Sequence, residues 1–256
     1  MSDKKRLFWD IETSYMKVRG VWRAGKQYVN PANIIEYPKI ICISYKWEGE
    51  EEVHTLTWDK KQCDKKLIKK FIKVLNNATE SVAHNGDRFD MKWLRGRALY
   101  HRIPMRPRYE TIDTLKFCKS QFNLPSNKLG EVAKYLGVSD KMDTGGFSLW
   151  QNIVENKCEE SMEKMIQYCE QDVKTLEEVY NVLRPYSKHR HSYGEEKWHC
   201  PECGTSNVGY SKEYKTAMGT RRYYLKCRDK ECSTHYPVSG KAYSDMLKFK
   251  MKHNIK

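Results

Sequence analysis

Two carboxylates set the chemistry of this chain. In Leu7-Phe8-Trp9-Asp10-Ile11-Glu12-Thr13 an apolar run gives way to Asp10 and Glu12. Read as a strand, with a side-chain period of two, the segment projects both acids from one face. Two anions one pleat apart need a cation between them, and a hard divalent ion bound through oxygen is the natural one. The expectation is a strand end that anchors a divalent-metal site, with later segments supplying the remaining ligands.

Two later segments carry suitable groups. Ser81-Val82-Ala83-His84 reads as a short strand that ends at Asn85-Gly86, and a helix follows from about Arg88 to Tyr100 with Phe89, Trp93, Leu94 and Leu99 buried. Asp90 lies in its first turn, at the carboxyl edge of a sheet, where open α/β folds place their chemistry. Taken singly, Asp90 complements a helix dipole and Asn85 makes a turn. Residues 161–183 form the most periodic helix, with Met162, Met165, Ile166, Cys169, Val173, Leu176, Tyr180 and Leu183 as its stripe. Tyr168 and Asp172 are four residues apart, so they share one face at the edge of that stripe and look into a cleft. Asp113 stands either near the site or as a helix cap.

Sulfur carries a second constellation. Cys200-Pro201-Glu202-Cys203 and Cys227-Arg228-Asp229-Lys230-Glu231-Cys232 are paired turns whose thiolates can enclose one tetrahedral zinc ion. A segment this small could hardly fold without the metal. Between the pairs, residues 210–226 are hairpin-like and carry Arg221, Arg222, Tyr223 and Tyr224. Cys42, Cys63, Cys118, Cys158 and Cys169 are scattered and read as free thiols of a reducing compartment.

The elements that must position these groups are legible in outline. Ile40-Ile41-Cys42-Ile43-Ser44-Tyr45-Lys46-Trp47 is a strand, and residues 53–58 return beside it after a turn at Gly49. Residues 64–76 form an amphipathic helix, with Leu67, Ile68, Phe71, Ile72 and Leu75 inward and five lysines outward. Residues 129–136 form a helix closed by Gly137. Residues 15–39, with Tyr15, Lys17, Arg19, Trp22, Arg23, Lys26 and Tyr28, read as a hairpin insertion packed on the sheet or as a loop that stacks bases. Residues 143–146 form a glycine-containing loop or plain linker.

The chain has 256 residues, 39% of them hydrophobic, enough for one α/β core and a small appended module. A formal charge of +14 favours a polyanionic partner. No apolar run is long enough to cross a bilayer and the start lacks a signal-peptide core, so a cytoplasmic, membrane-free location is expected. The expected division is a catalytic domain at 1–186, a linker at 187–197, a zinc ribbon at 198–240 and a basic tail, helical or loose, at 241–256.

Taken together, Asp-x-Glu in the first strand, Asn85-Gly86-Asp87-Arg88-Phe89-Asp90 at a strand-to-helix junction and Tyr168-Cys169-Glu170-Gln171-Asp172 in a late helix resemble the DEDD superfamily of 3′–5′ exonucleases, in its tyrosine branch. The stretches at 39–47, 144–150 and 180–186, followed by a cysteine ribbon, look like a phage and bacterial subgroup of it. The resemblance covers roughly residues 6–184. It implies a ribonuclease H-like mixed sheet flanked by helices, and a bacterial or phage-infected host cytoplasm. It also implies two Mg²⁺ or Mn²⁺ ions held by Asp10, Glu12, Asp90 and Asp172, with Asp10 bridging and Tyr168 orienting the attacking water. Asn85 would steady the junction or touch substrate. Beside one structural Zn²⁺, Arg221 and Arg222 with the neighbouring tyrosines would clamp a single strand of DNA, or RNA, unless the ribbon instead docks a replication or repair protein. The alternatives are a nucleic-acid-binding module with vestigial catalysis and a structure-specific endonuclease.

Overall fold

A computed structural model describes residues 5–20, 29–138, 146–186, 196–201, 203–230 and 232–255. The chain divides into two compact units, with the boundary between Tyr186 and Ser187. The sequence features at 22–28, 143–145 and 188–191 lie outside the described residues.

The first unit is built on β1 (Arg6–Thr13). A small antiparallel pair, β2 (Lys17–Val18) and β3 (Ile34–Glu36), precedes β4 (Ile40–Trp47) and β5 (His54–Thr57), so the described part of the 15–39 insertion is a hairpin. Then come α1 (Lys65–Asn77), β6 (Glu80–Ala83), α2 (Asp90–Tyr100), β7 (Thr111–Asp113), α3 (Thr114–Gln121), α4 (Leu129–Leu136), α5 (Phe147–Val154) and α6 (Glu159–Leu183). The sheet order is β5-β4-β1-β6-β7. β1 pairs antiparallel with β4 and parallel with β6, and β6 pairs parallel with β7, which makes the sheet mixed.

Strand periodicity sorts β1 into two faces. Leu7, Trp9 and Ile11 pack with Leu67, Ile68, Phe71, Ile72 and Leu75 of α1 and with Met91, Leu94 and Ala98 of α2. Each fully buried side chain of that stripe stabilises the fold by about 1.5–3 kcal/mol. Phe8 faces the other way, onto Val173, Leu176 and Tyr180 of α6. Asp10 and Glu12 share its face by the same period. Polar groups hold α6 to this side of the sheet: Lys46 pairs with Glu177, and the Thr55 hydroxyl donates to Glu170 at 2.7 Å while meeting Ser44 Oγ at 2.8 Å.

α2 departs from expectation. It begins at Asp90, and Phe89 and Leu99 are exposed, Leu99 at 80%. Its inward positions are Met91, Leu94, Arg97 and Ala98, so the helix is rotated from the face its bulkiest apolar residues suggest. Arg97 explains the rotation. Its guanidinium forks onto the fully buried carboxylate of Asp64, with Nε to Oδ2 at 2.7 Å and Nη2 to Oδ1 at 2.8 Å. Asp64 also meets His101 Nε2 at 2.6 Å and accepts the Ile40 N–H at 3.0 Å. These contacts hold its carboxyl below the usual range against the opposing effect of burial. The N-cap residue of α1 is thus a rivet joining α1, α2 and β4.

The second unit is a three-stranded antiparallel sheet, β8 (Val208–Lys215), β9 (Arg221–Cys227) and β10 (His235–Ser239) in the order β10-β9-β8, followed by α7 (Gly240–Lys252). Its core joins Trp198, Val208, Leu225, Tyr236 and Val238 to Ala242 and Met246 of α7. Ser239 caps α7 by accepting the Ala242 N–H, and the Tyr236 hydroxyl donates to the Trp198 carbonyl at 2.7 Å. The residues expected as a basic tail therefore form a helix packed into the ribbon's own core. A bulge between Tyr210 and Lys212 shifts the β8 register against β9. Among the described residues no helix is long and apolar enough to cross a membrane.

Removing one member of a buried ion pair leaves the other charge uncompensated, at a cost of about 3–5 kcal/mol. Asp64→Ala should lose about that much stability in urea denaturation. A loss below about 1 kcal/mol would show that the rivet contributes little.

Candidate active site and zinc centre

The acidic site forms where β1 outruns its parallel neighbour. β6 pairs with β1 only from Arg6 to Phe8, so β1 runs on towards Thr13 without that partner. Asp90 fills the gap, its Oδ1 accepting the Ile11 N–H at 3.2 Å. It is 1% exposed at the first turn of α2.

The turn that delivers Asp90 is tightly constrained. Asn85 has φ +64°, a left-handed conformation that asparagine tolerates better than most residues. A Cβ on Gly86 would meet the Ala83 Cβ at 2.5 Å, so only glycine fits. Asp113 braces the turn. Its Oδ1 accepts N–H groups from Asn85 (2.9 Å), Leu115 and Lys116, and its Oδ2 accepts from Asp87. Asp113 is thus both a cap of α3 and a clamp on the acidic junction, the two roles its sequence position left open. His84 ties the same junction outward, with Nδ1 2.9 Å from Thr114 Oγ1 and Nε2 2.8 Å from the Asn127 carbonyl.

α6 supplies the opposite wall. Carboxylate oxygens of Asp10, Glu12 and Asp172 all lie within 4.8 Å of one another. Asp90 stands outside that group of three, yet its charge raises the Asp10 pKa. Burial is the largest cause of the Asp10 shift, followed by Asp90, Glu12 and Asp172, and it keeps that carboxyl well above its ordinary range. Burial likewise pushes Asp90 up to about 7, partly offset by backbone N–H donors. The Tyr168 hydroxyl hydrogen-bonds Asp172, and burial with that anion holds the phenol far above its usual pKa. Tyr168 is therefore a hydroxyl donor at neutral pH.

The cluster is an all-oxygen donor set with unfavourable charge, which fits a hard divalent cation. Sequence reasoning missed one neighbour of the site. The Cys169 thiol lies 3.7 Å from Asp10 Oδ2 and 3.7 Å from the Asp10 carbonyl, a contact its place in the apolar stripe conceals.

In the second unit, one sulfur each of Cys200, Cys203, Cys227 and Cys232 falls within 4.8 Å of the others. Sγ–Sγ separations of 3.6 Å link Cys200 to Cys232 and Cys203 to Cys227. A tetrahedron of Zn–S bonds near 2.3 Å has edges of about 3.8 Å, so the four thiols suit zinc. Burial pushes Cys227 up to about 12, whereas Cys232 falls to about 7 through bonds to Thr234 and neighbouring thiols, although its burial opposes that fall. Arg221 and Arg222 are consecutive in β9 and therefore project from opposite faces, so the two cations paired in sequence are separated in space.

A family described as the RNase_H superfamily matches residues 36–184, and an Ogr/Delta-like zinc finger matches residues 199–245. No curated protein matches the chain. Among solved structures, the family B DNA polymerase from the hyperthermophilic archaeon Pyrobaculum calidifontis is similar in fold, with a TM-score of 0.54 and 16% identity. The match covers 71% of this chain and 25% of the polymerase, so the chain spans about a quarter of that protein's length.

Asp90 ionises near 7 when folded, against about 3.9 when unfolded. Between those values the folded state holds the extra proton, so stability falls as pH rises. With the ribbon zinc-loaded and magnesium and manganese removed, the first unit should melt lower at pH 8 than at pH 5. Added magnesium should raise its melting temperature more at pH 8, and Asp90→Asn should flatten the pH dependence. A descent equally steep in Asp90→Asn would contradict this.

The zinc centre has its own test. Cys200→Ser with Cys203→Ser should abolish zinc uptake and the folding of the ribbon while leaving the first unit's melting transition. Retained ribbon structure without metal, read by near-ultraviolet circular dichroism, would refute it.

Proposed function

Since this chain belongs to the RNase H superfamily, we propose that its acidic cleft is a metal-dependent 3′–5′ exonuclease site acting on DNA, in the manner of the tyrosine-branch enzymes. The observation that carries this reading is the convergence of Asp10, Glu12 and Asp172 with a phenol bonded to the last of them and Asp90 secured to the same strand.

Asp10, Glu12, Asp90 and Asp172 would hold two Mg²⁺ or Mn²⁺ ions. Such ions lower the pKa of a bound water and neutralise charge on the leaving oxygen. The chain's own groups do the rest. Asp10 is central, because the charges of Asp90, Glu12 and Asp172 all bear on it. Tyr168, held as a neutral hydroxyl, orients the attacking water; with so high a pKa it is no general base. Asn85 shapes the junction through its left-handed backbone and would steady it or touch substrate there. On the ribbon, Arg221 and Arg222 are exposed cations suited to phosphate.

The test uses 3′-labelled and 5′-labelled DNA strands with Mg²⁺, alongside matched RNA. Stepwise shortening from the 3′ end is expected, and Asp10→Asn should slow it at least about a hundredfold. A discrete internal cut would instead indicate a structure-specific endonuclease. Binding with no cleavage by the native chain would indicate a module whose catalysis is lost.

A further inference from the structure

The open face of the ribbon sheet is built for a particular kind of strand. Leu225 and Cys227 of β9 are buried, and Tyr223 stacks on Tyr243 of α7 with ring centroids 4.2 Å apart and planes at 11°. Those three residues mark the face that α7 covers. Arg222, Tyr224 and Lys226 alternate with them and point the other way. The pairing register extends this second face. Lys212 lies opposite Tyr224, Tyr214 opposite Arg222, and His235 opposite Lys226.

The resulting surface carries three cations, two tyrosines and a histidine. The one acid of β8, Glu213, is paired with Tyr223 and so lies on the helix side. Tyr214 and Tyr224 sit with ring centroids 5.5 Å apart, and Lys212 Nζ is 5.1 Å from the centre of the Tyr224 ring. Tyr214 is 41% exposed although it is a large aromatic residue.

We infer that this face binds single-stranded nucleic acid, with bases stacked on Tyr214 and Tyr224 and phosphates held by Lys212, Arg222 and Lys226. The inference rests on the nuclease reading for its choice of nucleic acid and deepens it by naming the form recognised. Charge complementarity selects a polyanion. The tyrosines select an unpaired strand, because a duplex keeps its base faces hidden within its own stack whereas a single strand offers them. Arg221, on the other side of β9, lies outside this platform.

The experiment uses the full chain carrying Asp10→Asn, so that the strand survives, and reads fluorescence anisotropy of a labelled mixed-sequence oligonucleotide, single-stranded or as a duplex. Tyr214→Ala with Tyr224→Ala should weaken single-strand binding about thirtyfold or more. The Tyr214→Phe and Tyr224→Phe pair should keep it, and duplex affinity should change less than about threefold. Replacing Lys212, Arg222 and Lys226 by alanine should lower the slope of log affinity against log salt by about 2.

Zinc content reports folding in every variant; should the alanine pair lose zinc, Tyr214→Ala alone, at an exposed position, should still cost about fivefold. Single-strand binding within threefold of the parent, an equal loss on duplex, or a loss in the phenylalanine pair as large as in the alanine pair would overturn the inference. The nuclease reading is judged separately, by whether the native chain with Mg²⁺ hydrolyses the p-nitrophenyl ester of thymidine 5′-phosphate. Failure there, with tyrosine-dependent binding intact, removes the nuclease and keeps the platform.

Discussion

The hydrogen bond from the Ile11 amide to Asp90 is the constraint on which the first unit's chemistry depends. A strand that outlasts its neighbour leaves backbone donors facing a gap, and a buried donor must be satisfied. Here the partner is a carboxylate, and the same contact sets that carboxylate beside Asp10. One side chain thus satisfies a buried backbone donor and adds its charge to the acidic cluster. The arrangement carries a standing electrostatic cost, since Asp10 and Asp90 are both raised above their ordinary ionisation range. Much of the surrounding architecture resists that cost: Asp113 grips the turn, Gly86 closes it against Ala83, and Lys46 with Thr55 anchors α6.

What the sequence made legible follows from periodicity. The two-residue repeat of β1 put Asp10 and Glu12 on one face, and the stripe of α6 placed Tyr168 and Asp172 at its edge. Both are local rules, and the sheet and helices they imply are the ones observed. The α1 stripe was equally clear because its apolar residues fall on one side without exception.

What remained hidden depends on partners remote in sequence. At α2 the expected stripe holds only in part: Leu94 is buried and Trp93 packs on the core, but Phe89, just before the helix, and Leu99 are exposed. A fork between Arg97 and Asp64, 33 residues apart, decides its rotation, and no window of the chain displays it. The contact between the Cys169 thiol and Asp10 is likewise long-range. Whether 241–256 is helix or loose chain is open from sequence, because Ala242 and Met246, with Tyr243 and Phe249 beside them, pack on partners from Trp198 to Val238 that no local window shows.

The β8 bulge has a consequence for the ribbon's polarity. The extra residue, Ser211, inverts the alternation along the strand, so that Tyr210 meets Tyr243 of α7 while Lys212 and Tyr214 emerge on the open side. Were the bulge lost with Ser211 kept, Ser211 would pair with Tyr224 and the outer half of β8 would turn over like a page. Glu213 would then come to the open surface, and Lys212 and Tyr214 would be carried beneath the helix. The sign of an entire surface is thus held by a single inserted peptide unit.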